Sequence, residues 1–321
     1  SSDSWPIYIS LQKDGILFKM RRTQDIPDKK SATMFFQDCK LAHQAQITGI
    51  RHSIKEILPP DLLDLTQLQK EANIRYGFTA SEVYDIAQSL YEKKLISYPR
   101  TSSRYLTEDV FDSLPPIMAR LLSWELFPAA KGTASIDISS LFRHVINAEK
   151  ANVHHAIIIT GIRPGNLPEK EMLVYRLVAG RMLEAFMPPC RIETTDIEAI
   201  CAAQHFKAEQ TRIIEAGWHD VFMNSDIIPK SGYSVNELPE VEKGDTLNVC
   251  GRNLVHKKQL PVNPFTDAEL VEYMELNGLG TVSSRTNIIR TLVNRKYIRY
   301  SGKYIVPTPK GMFTYETIRG K

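Results

Sequence analysis

Residues 65–101 read LTQLQKEANIRYGFTASEVYDIAQSLYEKKLISYPRT, and this stretch predicts two consecutive helices that lead into a short loop. Thr66 and Gln69 have the spacing of a capping box, in which each side chain bonds a free backbone N–H of the first helical turn. Gly77 is expected to end this first helix, because glycine adopts the left-handed conformation of a helix C-terminus at little cost.

The second helix carries a second capping box, formed by Thr79 and Glu82. Four apolar residues then recur at helical spacing and predict the buried stripe of an amphipathic helix. These residues are Val83, Ile86, Ala87 and Leu90. The helix ends a few residues before Tyr98, which therefore lies where a rigid helix passes into a loop or strand.

Tyr98 and Arg100 suggest phosphoryl chemistry. A tyrosine phenol is a possible nucleophile toward phosphorus, and an arginine two residues on projects to the same side at strand spacing. Its planar guanidinium holds a phosphate in bidentate fashion, and Pro99 fixes the backbone between the two. A tyrosine–proline turn after a helix is also common in proteins without any such activity, so the run alone leaves both interpretations open.

Composition excludes several protein classes. The chain has 321 residues, of which 43% are hydrophobic and 24% charged, as in ordinary globular proteins of two or three domains. It contains no apolar run long enough to span a membrane, and its first residues do not have the pattern of a signal peptide. Four cysteines lie far apart without a CxxC pair, which predicts free, mostly buried thiols rather than a zinc ribbon or a disulfide scaffold. They are Cys39, Cys190, Cys201 and Cys250.

The net charge of +3 is small, but basic residues cluster between Ser284 and Gly311, where no acidic residue occurs. The seven are Arg285, Arg290, Arg295, Lys296, Arg299, Lys303 and Lys310. Such a run is either a solvated basic face or a nucleic-acid footprint.

Hydrophobic patterning predicts a multidomain α+β protein. Apolar triplets around Lys13-Asp14-Gly15 predict a hairpin, residues 30–41 a helix, and residues 45–57 a strand. After Pro59-Pro60 the pattern becomes mainly helical, including residues 104–124 and 175–186. Strand patterns return at 192–202, 206–216 and 246–256. We therefore expect a helical domain (59–187) inserted into one β domain (1–58 and 188–258).

Residues 259–321 predict a third unit with a winged-helix-like order. Thr266 and Glu269 cap a helix through Asn277, and Ser283 or Ser284 then caps a second helix. Four residues of that helix are expected to be buried, namely Ile288, Ile289, Leu292 and Val293. Residues 297–300 and 304–306 predict a two-stranded wing.

Three blocks together resemble one family. The run 65–101, the run VHHAIIIT at 153–160 and the run FTDAELVEYMELNGLGTVSSRTNIIRTLVNRKYI at 265–298 are similar, in order and spacing, to motifs of type IA DNA topoisomerases. VPTPKG at 306–311 follows as it does in that family. The HHAII sequence and the absence of CxxC favour the topoisomerase III branch. The resemblance covers at least residues 57–311 and implies that the β domain is the family's arch.

The resemblance implies roles for individual residues. Tyr98 matches the nucleophile that attacks a backbone phosphate of single-stranded DNA and forms a 5′-phosphotyrosine, which keeps the energy of the broken bond so that religation needs no ATP. Arg100 matches the arginine that contacts this phosphate. His154 matches the active-site histidine, which binds phosphate or orients an acidic partner; taken by itself, such a histidine is more often a structural imidazole of the core or surface.

The same resemblance matches Ser284 and Arg295 to positions that contact the single strand. Arg285 and Arg290 are candidate phosphate contacts on the charge argument alone. Without DNA binding, the same residues describe a helix capped by Ser284 with solvated arginines.

Two positions depart from the family pattern: Ser102 replaces an acidic residue, and Ile159 replaces a proline. The family's acidic metal-binding (TOPRIM) domain, with its DxDxE cluster, has no match in this chain. We therefore expect a fragment whose Mg²⁺ is held by carboxylates outside these residues. This chain is expected to bind no metal and to cleave little or no DNA alone.

The resulting expectation is the body of a type IA topoisomerase that relaxes or decatenates DNA. Its partner would be single-stranded DNA, with no small-molecule substrate and no membrane, and it would be a cytoplasmic, nucleoid-associated monomer. One alternative is a non-catalytic paralogue that only grips single-stranded DNA. Another, a winged-helix transcription factor, accounts only for residues 261–311 and predicts sequence-specific duplex binding.

Overall fold

The structure is a computed structural model, and it describes residues 3–124, 126–127, 143–151, 154–223, 231–258 and 263–320. Val153, the first residue of the histidine block, lies outside these ranges. The fold is mixed α+β, with a barrel of six antiparallel strands and ten α-helices within the described residues. None of these helices is long and apolar enough to cross a bilayer.

The chain forms two compact units. The barrel unit comprises the described residues within Ser1–Ile57, Pro189–Gly217 and Asn224–Pro261. The helical unit comprises those within Leu58–Pro188, Trp218–Met223 and Val262–Lys321. The C-terminal segment, treated separately in the sequence analysis, thus lies in the same compact unit as the helices that precede Tyr98.

The barrel unit is a closed antiparallel barrel in the order β1-β2-β5-β4-β3-β6. Its strands are β1 Ile7–Lys13, β2 Ile16–Arg22, β3 Gln44–Ile57, β4 Cys190–Cys201, β5 Gln204–Glu215 and β6 Thr246–Leu254. All six overlap the strands predicted from the sequence. Alternate residues point inward to one apolar cluster, as the period of two in a β-strand requires.

The first hairpin is confirmed in detail. Lys13 pairs with Ile16 across a two-residue turn, and Asp14 and Gly15 both have positive φ, 50° and 82°. Positive φ at both central residues is typical of the turn whose twist matches a β-hairpin. Helix α1 (Lys29–Leu41) follows, as predicted.

The helical unit begins with α2 (Leu65–Tyr76) and α3 (Ala80–Glu92), which confirms two consecutive helices. The remaining helices before β4 are α4 Glu108–Asp112, α5 Pro115–Ser123, α6 Ala148–Ala151 and α7 Glu169–Phe186. Residues 104–124 were predicted as helical throughout, but the chain forms only α4 and α5. Pro115 separates them, because a proline has no N–H with which to continue the hydrogen bonds of α4 but is well suited to the first position of a helix.

The capping prediction is right for α3 and wrong for α2. The Thr79 hydroxyl accepts the Glu82 N–H, and Glu82 returns a bond to the Thr79 N–H at 2.9 Å. Helix α2 begins earlier than predicted, because Asp64 is its N-cap and accepts the Gln67 N–H at 2.7 Å. Thr66 therefore lies inside the helix. Gly77 ends α2 with φ of 70°, as expected.

After α7 come the C-terminal elements, α8 Asp267–Leu276, α9 Arg285–Asn294, β7 Ile298–Ser301, β8 Tyr304–Pro307 and α10 Pro309–Arg319. The capping box of Thr266 and Glu269 is confirmed, and β7 and β8 form the predicted hairpin. Ile289 is buried as expected, but Ile288 is 38% exposed, because the buried face of α9 runs through Thr286 and Ile289.

The cysteines agree with the prediction of free thiols. Cys39, Cys190 and Cys201 are buried, and Cys250 is exposed.

Candidate active site and nucleic-acid interface

Two short segments place Tyr98 within the helical unit. The Ser97 N–H donates to the Ile158 carbonyl at 2.8 Å, and the Thr160 N–H donates to the Leu95 carbonyl at 3.1 Å. These bonds join the residues before Tyr98 to the histidine block in a small antiparallel ladder. The ladder brings together two parts of the chain about sixty residues apart.

The residue after Arg100 fixes the other side of the loop. The Thr101 hydroxyl donates to the His154 carbonyl at 2.9 Å, and the Leu65 N–H donates to the Thr101 carbonyl at 3.1 Å. The backbone around Tyr98 is therefore held both before and after the tyrosine. Such support keeps a reactive side chain in one position relative to its neighbours.

The side chain of Tyr98 is half-buried between two rings. The His154 imidazole lies 4.6 Å from it between centroids, at an interplanar angle of 46°. Tyr91 of α3 meets it edge to face at 5.5 Å. Within the described residues, no hydrogen bond engages the Tyr98 hydroxyl, so its oxygen is free to approach a ligand. The structure thus brings Tyr98 and His154 together.

Arg100 is held on α3. One of its terminal nitrogens donates to the Gln88 side chain at 3.0 Å, and its guanidinium lies 5.2 Å from the ring centroid of Tyr84. Its Nε is buried and has no hydrogen-bond partner in the described part of the chain. No hydrogen bond or cation–π contact joins Arg100 to Tyr98 there. Arg100 makes no ion pair in these residues, and its terminal nitrogen bonds only the neutral Gln88 amide, so its positive charge is not offset by a carboxylate.

Three α3 residues that support the site were missed from the sequence. Tyr84, Gln88 and Tyr91 follow the spacing i, i+4, i+7 and so share one helix face. Two of them hold Arg100, and the third contacts Tyr98. They lie beside the apolar stripe of α3, and only their i, i+4, i+7 spacing could have identified them from the sequence.

The loop around Tyr98 carries groups suited to phosphoryl chemistry. A phenol, an imidazole and a guanidinium can act as a nucleophile, a proton carrier and a fixed positive charge. Mg²⁺ requires carboxylate oxygens, and no carboxylate contacts Tyr98 or His154 in the described ranges. Nor do these ranges contain a cluster of three or more His, Cys, Asp or Glu residues suited to a metal ion. The described residues around Tyr98 therefore do not fit the ligand set of a Mg²⁺ ion.

The second candidate region is α9. Ser284 occupies its N-cap position, but its hydroxyl does not cap the helix. It accepts the Thr281 N–H at 2.7 Å instead. One face of α9 borders a cavity of about 370 Å³. Its lining residues are Ser283, Ser284, Asn287, Ile288, Thr291 and Leu292.

Two of the four candidate residues on α9 are neutralised. Arg285 is buried, with its guanidinium 3.2 Å from Glu275 and its Nε donating to a backbone carbonyl. Arg290 binds Asp85 at 2.9 Å and donates to the Ser81 hydroxyl at 2.7 Å. Both arginines tie α9 to neighbouring helices, so this geometry does not support them as phosphate contacts. Arg295, by contrast, is exposed at the end of the helix.

The family model for DNA topoisomerase matches residues 1–320 of the chain. The chain belongs to the type IA DNA topoisomerase family.

Several relatives of this topoisomerase chain are named DNA topoisomerase 3. It is 33% identical to the protein of Bacillus licheniformis over 298 residues, covering 85% of this chain and 41% of the relative. It is 32% identical to the protein of Bacillus subtilis over 293 residues, covering 84% and 40%. The topoisomerase 3 of Staphylococcus saprophyticus is 30% identical, with 94% and 44% covered. The chain thus spans about two-fifths of these homologues.

A solved structure supports the fold. The topoisomerase I of Thermotoga maritima matches all of this chain and 52% of its own chain, with a TM-score of 0.73 and 21% identity. The mixed α+β architecture with its antiparallel barrel is therefore the architecture of part of a known topoisomerase.

Proposed function

We propose that this chain is the body of a topoisomerase III-like enzyme in which Tyr98 cleaves one DNA strand. The observation that carries the proposal is the Tyr98–His154 ring pair, which the ladder holds two residues before Arg100 in the chain. Tyr98, the His154 ring and the backbone on both sides of Tyr98 are therefore held in fixed positions. Preorganisation of this kind lowers the barrier of a transfer step.

In the proposed step, the Tyr98 phenolic oxygen forms a bond to a backbone phosphorus of single-stranded DNA. The phenol gives up its proton as this bond forms, the phosphorus–O3′ bond breaks, and the 3′-oxygen leaves as a hydroxyl by taking up one proton, so that the number of protons is unchanged. The 5′ end stays on the tyrosine as a phosphodiester. Attack by the 3′-hydroxyl reverses the exchange without ATP, because one ester replaces another of similar energy. Passage of a second strand between the two steps relaxes or decatenates DNA.

The proposed roles of Arg100 and His154 follow from the chemical groups of their side chains. Arg100 is proposed to bind a non-bridging oxygen of the phosphate and to offset the charge that develops there. His154 is proposed to bind the same phosphate or to orient an acidic group. Mg²⁺ supplies charge neutralisation in this family, and we propose that residues outside this chain hold it. On that basis the isolated chain cleaves little or no DNA.

Single-stranded DNA is the proposed partner of α9. Ser284 and Arg295 lie at the two ends of the helix, and its exposed face carries hydroxyl and amide groups beside the 370 Å³ cavity. In this proposal the barrel unit is the arch of the enzyme, with the helical segment inserted into it. Helices α8 and α9 with the β7–β8 hairpin form the winged-helix-like part.

The proposal is tested by trapping the covalent intermediate. A single-stranded oligonucleotide labelled at its 3′ end is incubated with the chain, and with a chimera in which it replaces the matching segment of the Bacillus subtilis homologue. Reactions run with and without Mg²⁺ and stop in detergent. A labelled adduct that disappears in Tyr98→Phe supports the proposal. Tyr105→Phe is the matched control and is expected to keep the adduct.

Absence of an adduct in both proteins, with single-strand binding intact, would instead favour the non-catalytic paralogue. An adduct in the chimera alone would support the proposal that the chain requires residues outside it. An adduct that survives Tyr98→Phe would reject Tyr98 as the nucleophile.

A further inference from the structure

The acid-free run between Ser284 and Gly311 divides into two classes in the structure. Arg285 and Arg290 are each neutralised by a carboxylate from another helix. The other five make no ion pair within the described residues, and all five are exposed. They are Arg295, Lys296, Arg299, Lys303 and Lys310. Unpaired positive charge therefore collects after α9 and on the β7–β8 hairpin.

The strand register places part of this charge on one face. Arg299 pairs with Val306, and Ser301 pairs with Tyr304. These two pairs share the face opposite to Tyr300, because successive residues of a strand alternate sides. The ammonium group of Lys303 lies 5.3 Å from the Tyr304 ring centroid and so extends over the same face. We call the face carrying Arg299 and Lys303 the basic hairpin face.

A second group of charges lies at the end of α9. Arg295 and Lys296 follow the helix directly, and Lys296 has a φ of 60° that reverses the chain. Lys310 donates to the Arg295 carbonyl at 2.8 Å and lies 4.5 Å from the Tyr297 ring centroid. Lys310 is thus committed to the helix end, whereas Arg295 and Lys296 keep free head groups.

The acidic groups near the hairpin do not cancel this charge. The Thr266 N–H, which donates to the Glu269 carboxylate at 2.7 Å, lowers the pKa of Glu269 most, and the charge of Lys303 lowers it further. Glu269 thus offsets part of the charge of Lys303, but one such carboxylate leaves Arg299 and Lys296 without an ion-pair partner in the described residues. Asp267 is buried on the other side of the hairpin, where burial of the Tyr300 phenol and then the charge of Asp267 raise the pKa of Tyr300. The basic hairpin face therefore stays positive.

Its aromatic rings are unsuited to base stacking. Proteins that grip single strands combine basic grooves with open aromatic faces on which bases stack. Here Lys303 covers Tyr304, and Lys310 covers Tyr297. A partner that presents phosphates without exposed bases fits this surface better. Duplex DNA is such a partner, since its bases are stacked inside and its phosphates line the outside.

We infer that the basic hairpin face, with Lys296, binds the phosphate backbone of duplex DNA that flanks the single-stranded substrate. The inference rests on the proposed function for its DNA substrate and extends that site to a single-strand–duplex junction. The contacts are independent of base sequence, because lysine and arginine here meet phosphates rather than base edges. The α9 face and the hairpin thereby take different parts of one DNA molecule.

The test is equilibrium binding of the 321-residue chain to three labelled probes. These are a single strand, a blunt duplex, and a duplex with a single-stranded tail. Arg299→Gln/Lys303→Gln is compared with Lys29→Gln/Lys30→Gln, which removes the same charge from exposed positions on α1. Each variant is first checked for an unchanged unfolding transition.

We expect Arg299→Gln/Lys303→Gln to weaken binding of the tailed duplex by about tenfold at low salt and to change single-strand binding less than about twofold. The slope of log affinity against log salt for the tailed duplex should fall by about 1.8, corresponding to two phosphates at about 0.9 each. The α1 control should leave all three affinities near those of the parent.

An equal loss on the single strand would overturn the inference and assign the hairpin to the single-strand path. No loss on any probe, or an equal loss in the α1 control, would also overturn it. Dependence on the duplex sequence would favour a transcription factor instead. Failure of the proposed function looks different: the parent then binds no DNA at all, or the chimera forms no Tyr98 adduct while junction binding persists.

Discussion

The imidazole of His154 lies against the ring of Tyr98, with centroids 4.6 Å apart and planes inclined by 46°. The contact depends on backbone support, because the Thr101 hydroxyl binds the His154 carbonyl and the ladder fixes the residues before Tyr98. Two roles are possible for such a neighbour: it packs against the nucleophile, or its nitrogens take part in the reaction. Substitutions can distinguish these roles, because packing depends on the ring and reaction depends on its nitrogens.

Substitutions at His154 separate these roles. His154→Phe keeps a ring against Tyr98 and removes both nitrogens, whereas His154→Ala removes both features. We expect each to lower the rate of adduct formation by about a hundredfold, the usual scale for a lost proton-transfer or phosphate-binding group. Adduct formation by the chimera is the measurement. Retained activity in His154→Phe would show that the imidazole only packs against Tyr98.

The ladder predicts unequal effects of proline at two adjacent positions. The Ile159 N–H donates no hydrogen bond in the described residues, whereas the Thr160 N–H donates to the Leu95 carbonyl. Ile159→Pro should therefore cost only lost packing, about 1 to 2 kcal/mol of unfolding free energy. Thr160→Pro should cost about 2 kcal/mol more. Urea denaturation of both variants checks this, and equal losses would contradict the ladder.

The unused N–H of Ile159 shows that this position needs no backbone hydrogen-bond donor. The family pattern that the histidine block resembles has proline at this position; proline has no backbone donor, and the ladder needs none there. The departure at Ile159 is thus compatible with the same local structure. Ser102 is exposed beside the loop, and nothing in the structure explains why this chain has serine there.

Glu184 makes stability depend on pH. Burial raises the pKa of this carboxyl to about 7, although Arg181 lies 2.9 Å away and opposes the shift. A carboxyl whose folded pKa exceeds its unfolded pKa stabilises the fold while protonated, and this stabilisation is lost as the pH rises through about 7. Relative to Glu184→Gln, the parent should lose about 2 kcal/mol between about pH 5 and about pH 8.

The measurement is urea denaturation of the parent and Glu184→Gln across that pH range. Glu169→Gln, at an exposed position of the same helix, is the control and should follow the parent at every pH. Parallel curves for the parent and Glu184→Gln would mean that Glu184 is ionised throughout and held by Arg181.

Local sequence signals predicted those parts of the fold that local interactions determine. The capping box of Thr79 and Glu82, the Gly77 helix end and the Asp14-Gly15 turn each involve residues a few positions apart. Strand periodicity identified the barrel strands, because each alternates between an apolar interior and a polar surface. Closure of the barrel could not be predicted from the sequence, because it depends on strand pairings such as β1 with β6 that no local pattern encodes.

The site was predictable in part for the same reason. The pairing of Tyr98 with His154 came from the family resemblance, because a ladder of a few residues has no periodic signal. The charge pattern could not identify which arginines stay free. The partner of Arg290 is Asp85, 205 positions away, and burial of Arg285 depends on packing of two helices. Counting charges along the sequence therefore does not show which arginines of α9 are ion-paired.

Substitution of Arg285 should lower stability, whereas substitution of Arg295 should weaken single-strand binding. Arg285→Gln leaves Glu275 without its partner in a mostly buried position, so we expect a loss of about 2 kcal/mol in unfolding free energy. Arg295→Gln is exposed and should change stability by less than about 0.5 kcal/mol while weakening single-strand binding. Denaturation and binding titrations of both variants decide. Stable Arg285→Gln with weakened binding would restore Arg285 as a DNA contact.

Gly311 provides a test of packing near the hairpin. A Cβ built on Gly311, in the first turn of α10, would overlap the Tyr297 carbonyl oxygen, whereas one on Gly320, the C-cap of the same helix, would lie 3.4 Å from the Glu316 carbonyl oxygen. Alanine normally stabilises a helix relative to glycine by up to about 1 kcal/mol. Gly311→Ala should instead destabilise by about 1 to 3 kcal/mol, because backbone atoms must move apart. Urea denaturation measures the change in unfolding free energy of Gly311→Ala and of Gly320→Ala. A stabilised Gly311→Ala would show that α10 does not pack against Tyr297 in solution.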